Sequence, residues 1–234
     1  MVKVFGCVFI GRNQIGDFNY MIKQPEYKNS LFIFNDNIEC FDKSSSCYCS
    51  AGGGNAVIRP YKCKSQPQAY GIPTGSLSTG GFLNLSSNNA KQFIDKAISE
   101  ISTLLSKFKY DYIFYSSDST GLLGHGIFAI GSDVVNYVTC QIHSLGVYSG
   151  IYTNINQLKT AKSVSFSACN STYSIPSSQS TKSSNNNKTS PLPQTTTTPN
   201  NIYHENLKEK YDFIFGIIIF LFVLFWIIYF YFNS

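Results

Sequence analysis

Charge is scarce in this chain. Only 13% of its 234 residues are charged, while 15% are aromatic, a balance that is unusual for a purely soluble protein and points to a segment hidden from water. The net charge of +5 is modest and the lysines are scattered with no basic block, so no nucleic acid is expected as a partner. There is no His-Glu-x-x-His, no Gly-x-Ser-x-Gly elbow and no glycine-rich loop ending in Gly-Lys-Ser or Gly-Lys-Thr, so those hydrolase and triphosphatase classes fall away. Val4 to Ile10 is too short an apolar core for a secretory leader and reads as a first, buried strand, with the N-terminus expected to stay in the cytosol.

Cys-x-x-Cys is also absent. The seven cysteines, Cys7, Cys40, Cys47, Cys49, Cys63, Cys140 and Cys169, are odd in number and irregular in spacing. That pattern does not read as a disulfide framework, and a reduced compartment is the simpler expectation. Cys40, Cys47, Cys49 and Cys63 offer four thiolates of the kind zinc takes, but their spacing is poor for it; no metal and no cofactor are expected.

What the chain does have is glycine loops set between apolar runs. Ala51 to Pro60 combines Gly52, Gly53 and Gly54 with a run able to start a helix, and backbone N–H groups at a helix start favour an anion. Before it, Ser30 to Phe34 is a continuous apolar run typical of a central strand, ended by Asn35-Asp36-Asn37. After it comes a second small-residue loop, Pro73 to Phe82. Arg59, one of very few arginines, stands just past the glycines with the fork that suits a phosphate or a structural carboxylate. Ser116, Ser117 and Asp118, with His125, supply the residue types of a hydrolytic triad, but serine and aspartate also commonly end strands, and no catalytic residue is assigned.

Asn89 to Phe108 repeats apolar residues at helical steps through Phe93, Ala97, Ile98, Ile101, Leu104, Leu105 and Phe108, with Asn89 as N-cap. Tyr110 to Tyr115 reads as the next strand, and Ser132 caps a second helix whose face is Val134, Val135, Val138, Ile142 and Leu145. Strand and helix alternate, so the expected fold class is α/β, a single mixed or mostly parallel sheet with flanking helices over residues 1–165. Residues 166–207 form a Ser/Thr/Asn/Pro linker expected to be disordered, because so few apolar side chains cannot offset ordering entropy. Phe213 to Phe232 is uncharged and about twenty residues long, enough at roughly 1.5 Å per residue to span about 30 Å of hydrocarbon. It is expected to be a transmembrane helix that makes the lipid bilayer a partner. Lys208 and Lys210 lie before it and no charged side chain follows, which places the N-terminal domain in the cytosol by the positive-inside rule. The triplets Asn84-Leu85-Ser86, Asn170-Ser171-Thr172 and Asn187-Lys188-Thr189 fit the glycosylation pattern, which matters only on a lumenal side.

Four short pieces, in order, resemble macrodomains, the α/β modules that bind ADP-ribose. Gly16-Asp17-Phe18 is similar to the early Gly-Asp-Ile, which implies an adenine contact for Asp17. Phe32 to Asn37 resembles the strand ending Asn-Ala-Ala-Asn, with Asn35 and Asn37 as its asparagines and Asn37 on the ribose side. Gly52, Gly53 and Gly54 resemble the following glycine run. Ser78, Thr79, Gly80, Gly81 and Phe82 are similar to the Ser-Thr-Gly loop that holds diphosphate. The family's strand between the last two pieces is poorly represented, and Asp36 replaces a small residue. The resemblance covers residues 10–118 and implies a nucleotide-type ligand such as ADP-ribose, with hydrolysis of an ADP-ribosyl bond as an extension. The alternative is a membrane-held interaction or structural module with no small-molecule ligand.

Overall fold

Along each central strand, alternate residues belong to opposite faces, and this two-residue period organises everything else. The computed structural model describes residues 1–124 and 126–169; His125, most of the linker and the 213–232 segment lie outside the described residues. The strands are β1 (Lys3–Val8), β2 (Ser30–Asn37), β3 (Ala69–Ser76), β4 (Gly80–Gly81), β5 (Tyr112–Ser117) and β6 (Val147–Ile151), in the spatial order β4-β3-β2-β5-β1-β6. All neighbours run parallel except the short β4, which turns back against the end of β3. The fold is therefore α/β with a mixed, mostly parallel six-stranded sheet, and β2 lies at its centre as expected.

Phe32, Phe114 and Phe5 stand side by side across β2, β5 and β1, with ring centroids 5.3 and 5.8 Å apart. Such pairs add about 0.5–1.5 kcal/mol beyond their burial. They meet Phe18 and Met21 of α1 (Phe18–Met21) and Ile58 of a 3-10 helix over Gly54–Cys63. On the opposite face Val4, Leu31, Ile33, Ile113 and Tyr115 receive α3 (Ala90–Lys107) and α4 (Ser132–Ser144). Ile94, Ala97 and Ile101 of α3 are fully buried, each isoleucine worth roughly 1.5–3 kcal/mol. Of the face expected from periodicity, Phe93, Ile98, Leu104, Leu105 and Phe108 pack at its margin. Asn89 precedes α3 but is in the left-handed region (φ 57°) and makes no side-chain cap. Gly131, not Ser132, is the cap residue of α4. Two short helices complete the fold, α2 (Ile38–Phe41) after β2 and α5 (Gln157–Thr160) after β6. Among the described residues no helix is long and apolar enough to cross a membrane.

Three findings depart from the sequence reading. The strand thought poorly represented before the Ser-Thr-Gly loop is β3, buried at all eight positions. Its two glycines and Pro73 hide it from periodicity. Pro73 is tolerated because β4 pairs only with Gly75 and Ser76, so β3 is an edge for most of its length. Six cysteines are paired, as Cys40–Cys47, Cys49–Cys63 and Cys140–Cys169, with Cys7 free and buried; the framework was invisible because chain spacing does not report spatial pairing. The same pairing removes the four thiolates considered for zinc. Lastly, the last bridge and the packing of Phe166 on His143 and Tyr148 carry the domain past residue 165 to at least Cys169.

Candidate functional site

The connection from β1 packs on the α1 face and that from β5 on the α4 face, while that from β2 touches both, Ile38 and Phe41 of α2 joining the α4-face core and Ile58 of the 3-10 helix the α1-face core, so the side of departure reverses at β5. Open parallel sheets bind ligands at such a reversal, outside the carboxyl ends of the strands. Close to those ends lie Asn35 of β2 and Ser116 of β5. The segment after β5 crosses above them: Gly124 donates its N–H to the Ser116 carbonyl at 3.0 Å and accepts from Asn35 Nδ2 at 2.9 Å. Asn35 Oδ1 and Ser117 Oγ are buried with no hydrogen-bond partner among the described residues. Asn55 Nδ2 donates to Ser116 Oγ at 3.1 Å, which brings the glycine run to the same place.

That run is open. Gly53 and Gly54 are exposed, and a Cβ built on either would meet nothing within 4 Å. Ala56 donates to the Gly53 carbonyl as the 3-10 helix begins, so the N–H groups of Gly53, Gly54 and Asn55 stand ahead of its first turn. Gly52 is different: a Cβ there would sit 2.9 Å from the Arg59 guanidinium, so its role is to make room.

Arg59 is not available to a ligand. Its Nη2 and Nε donate to Asp36 Oδ1 and Oδ2 at 2.6 and 3.1 Å, its Nη1 donates to the Ser50 carbonyl at 2.7 Å, and both side chains are almost wholly buried. Asp36 thus stands where the resemblance has a small residue because it anchors the stapled loop between β2 and the 3-10 helix. Gly71 of β3 exists for the same pair, since a Cβ there would lie 2.4 Å from Asp36 Oδ2.

The remaining sequence candidates serve structure. Asp17 caps α1, accepting from the N–H groups of Asn19, Tyr20 and Asn13. Asn37 is buried and caps α2 through the Cys40 N–H at 2.7 Å. Ser78, Thr79 and Gly80 form the exposed tip between β3 and β4, with Gly80 at φ 80°. The Leu77 N–H, next to that tip, donates to Glu39, which also accepts from Ser76 Oγ at 2.5 Å. Burial would raise the Glu39 carboxyl, but the Ser76 hydroxyl and the backbone N–H groups outweigh it and hold the acid below its ordinary range. The loop that resembles a diphosphate holder therefore already cradles a carboxylate. Gly81 packs against the Ala129 carbonyl, and Phe82 is fully buried in the core.

Asp118 accepts from Thr120 and Leu122 in its own turn rather than orienting a base, which fits the strand-end reading of Ser116 to Asp118. The residues missed in the sequence are Asn55, Gly124 and Glu39. The dense glycines from Gly121 to Gly131 were the available signal that a chain segment passes close to the strand ends. No family model, curated protein or solved structure matches this chain.

Proposed function

We propose that this chain is a ligand-binding module, tethered to a bilayer through Phe213 to Phe232, whose α/β domain takes a nucleotide-type ligand such as ADP-ribose over the carboxyl ends of β2 and β5. The observation that carries the reading is the open Gly53-Gly54 backbone placed beside Asn55 and Ser116 at the point where the sheet's connections reverse. Backbone N–H groups there suit the diphosphate, and the Asn55 amide with the Ser116 hydroxyl suits sugar hydroxyls. Ser78 to Gly80 is left out, because Glu39 opposes a second anion. With Arg59 engaged, the phosphates meet dipoles and no partner cation, so affinity is weak.

A second reading rests on a different observation. Phe9 and Ile10 follow β1, Leu77 follows β3, Ile127 lies in the segment after β5 and Ile155 follows β6, and each is at least 45% exposed. Apolar tips gathered on the carboxyl side of a sheet suit a macromolecular partner. Calorimetry on the full chain in detergent, with ADP-ribose, AMP, adenosine and inorganic phosphate, separates the two. Heat with ADP-ribose that Gly53→Val abolishes supports the first, since valine there blocks the backbone without touching the core. No heat with any of them at millimolar ligand, from folded protein, overturns it and leaves the interaction module.

A further inference from the structure

The three disulfides bear on which side of the membrane the domain occupies. Cys40–Cys47 and Cys49–Cys63 staple the loop held by the Asp36–Arg59 pair, and Cys140–Cys169 fastens the end of the domain to α4. Cys7, the only unpaired cysteine, is buried on β1, so no thiol of the domain faces solvent. Cytosolic thiol buffers keep such pairs reduced in most cells, whereas secretory and outer compartments oxidise them.

The same domain displays a glycosylation triplet in an accessible form. Asn84 and Ser86 are exposed, while Leu85 between them packs on the core and donates its N–H to Asp133 at 3.0 Å. Asn84 Oδ1 accepts from the Ser86 N–H at 3.1 Å and from the Ser86 hydroxyl at 2.9 Å, and among the described residues Asn84 Nδ2 makes no hydrogen bond. The hydroxyl that defines the triplet is thus in contact with the acceptor amide, whose nitrogen stays free.

We infer that the α/β domain lies on the oxidising, lumenal or outer side of its membrane and that Asn84 carries an N-linked oligosaccharide. The donor is a lipid-diphosphate-linked oligosaccharide. Asn84 Nδ2 forms a C–N bond to the sugar's anomeric carbon, the C–O bond to the diphosphate breaks, the lipid diphosphate leaves with the electron pair, and the amide gives up one proton. Nothing is oxidised or reduced in this transfer. The inference reverses the cytosolic side expected from Lys208 and Lys210; it rests on the bilayer tether proposed above and not on the ligand.

The test is translation of the full chain with eukaryotic microsomes, followed by two readouts. Digestion with a peptide:N-glycosidase should increase the mobility of the wild type by a step that Asn84→Gln reduces by one glycan. Ser86→Ala should lose the same glycan with Asn84 still present, and Ser86→Thr should keep it. Mass-tagged maleimide on the denatured, unreduced chain should add one tag, at Cys7, and seven after reduction. Absence of any glycosidase step, or a step unchanged in both Asn84→Gln and Ser86→Ala, overturns the modification site. Seven tags without reduction overturns the compartment.

Discussion

Asn35 and Asp36 are consecutive on β2, yet the structure treats the two sides of that strand end in opposite ways. On the Asp36 side both carboxylate oxygens are met, by a bidentate arginine and the Asn37 N–H at 2.9 Å, a glycine on β3 leaves room for the pair, and two disulfides staple the loop. On the Asn35 side one amide oxygen stays buried without a partner among the described residues. The difference follows from charge. A buried carboxylate without its counter-ion costs several kcal/mol, so partners must be built around it, whereas an unmet amide oxygen costs only about 1–3 kcal/mol and can be carried by the fold.

The largest expected effect breaks the satisfied side. Asp36→Ala should cost about 3–5 kcal/mol, because it strands the buried Arg59 guanidinium, and the double variant Asp36→Leu with Arg59→Met should recover much of that loss. Chemical denaturation of the two proteins checks this; equal stability of Asp36→Ala and wild type would mean the pair is not buried in solution.

Next in size are two pH windows. Burial pushes the His143 imidazole down to about 4 from its ordinary 6.5, with Nε2 held by the Tyr115 hydroxyl at 2.8 Å and Nδ1 buried without a partner among the described residues. Burial likewise pushes Lys62 down to about 8 from 10.5, its ammonium lying 3.8 Å from the Tyr48 ring centroid and 4.7 Å from that of Tyr70. Both are bases that protonate more readily unfolded, so the unfolded state binds more protons and stability rises with pH through each window. Stability should climb between about pH 4 and 6.5 and again from about 8 toward 10.5, the second rise cut short as tyrosines buried in the fold, Tyr110 among them, ionise on unfolding. Melting temperatures across pH for His143→Phe and Lys62→Met should each lose one of these rises; a profile unchanged by both would contradict the burial of these groups.

The smallest effect sharpens the comparison. Asn35→Ala removes the bond to the Gly124 carbonyl and also the unmet oxygen, so the net loss should be only about 0.5–1.5 kcal/mol. A loss as large as that of Asp36→Ala would show that Asn35 holds the segment above it and is not a spare polar floor.

Much of the architecture is legible in the sequence. The runs at Ser30 to Phe34 and Tyr112 to Tyr115 carry apolar side chains on both faces because helices cover both, and Ile101 sits on a helical stripe that has only one place to go. The site was legible only in part. The glycine run singled out in the sequence is open and lies beside the end of β5, but Phe82, Asn37, Asp17 and Arg59 hold the fold together, since a residue type does not say whether a nearer partner has already claimed it.

The amino-acid order alone determined the α/β class, the central strand and the buried helix stripes, because these follow from hydrophobic period and local punctuation, which are properties of short stretches. Only the tertiary structure decided which cysteines meet, that β3 is a strand despite Pro73, and that Arg59 belongs to Asp36. Each of these joins residues whose approach depends on how distant elements pack, and a contact between them leaves no trace in the spacing of the chain.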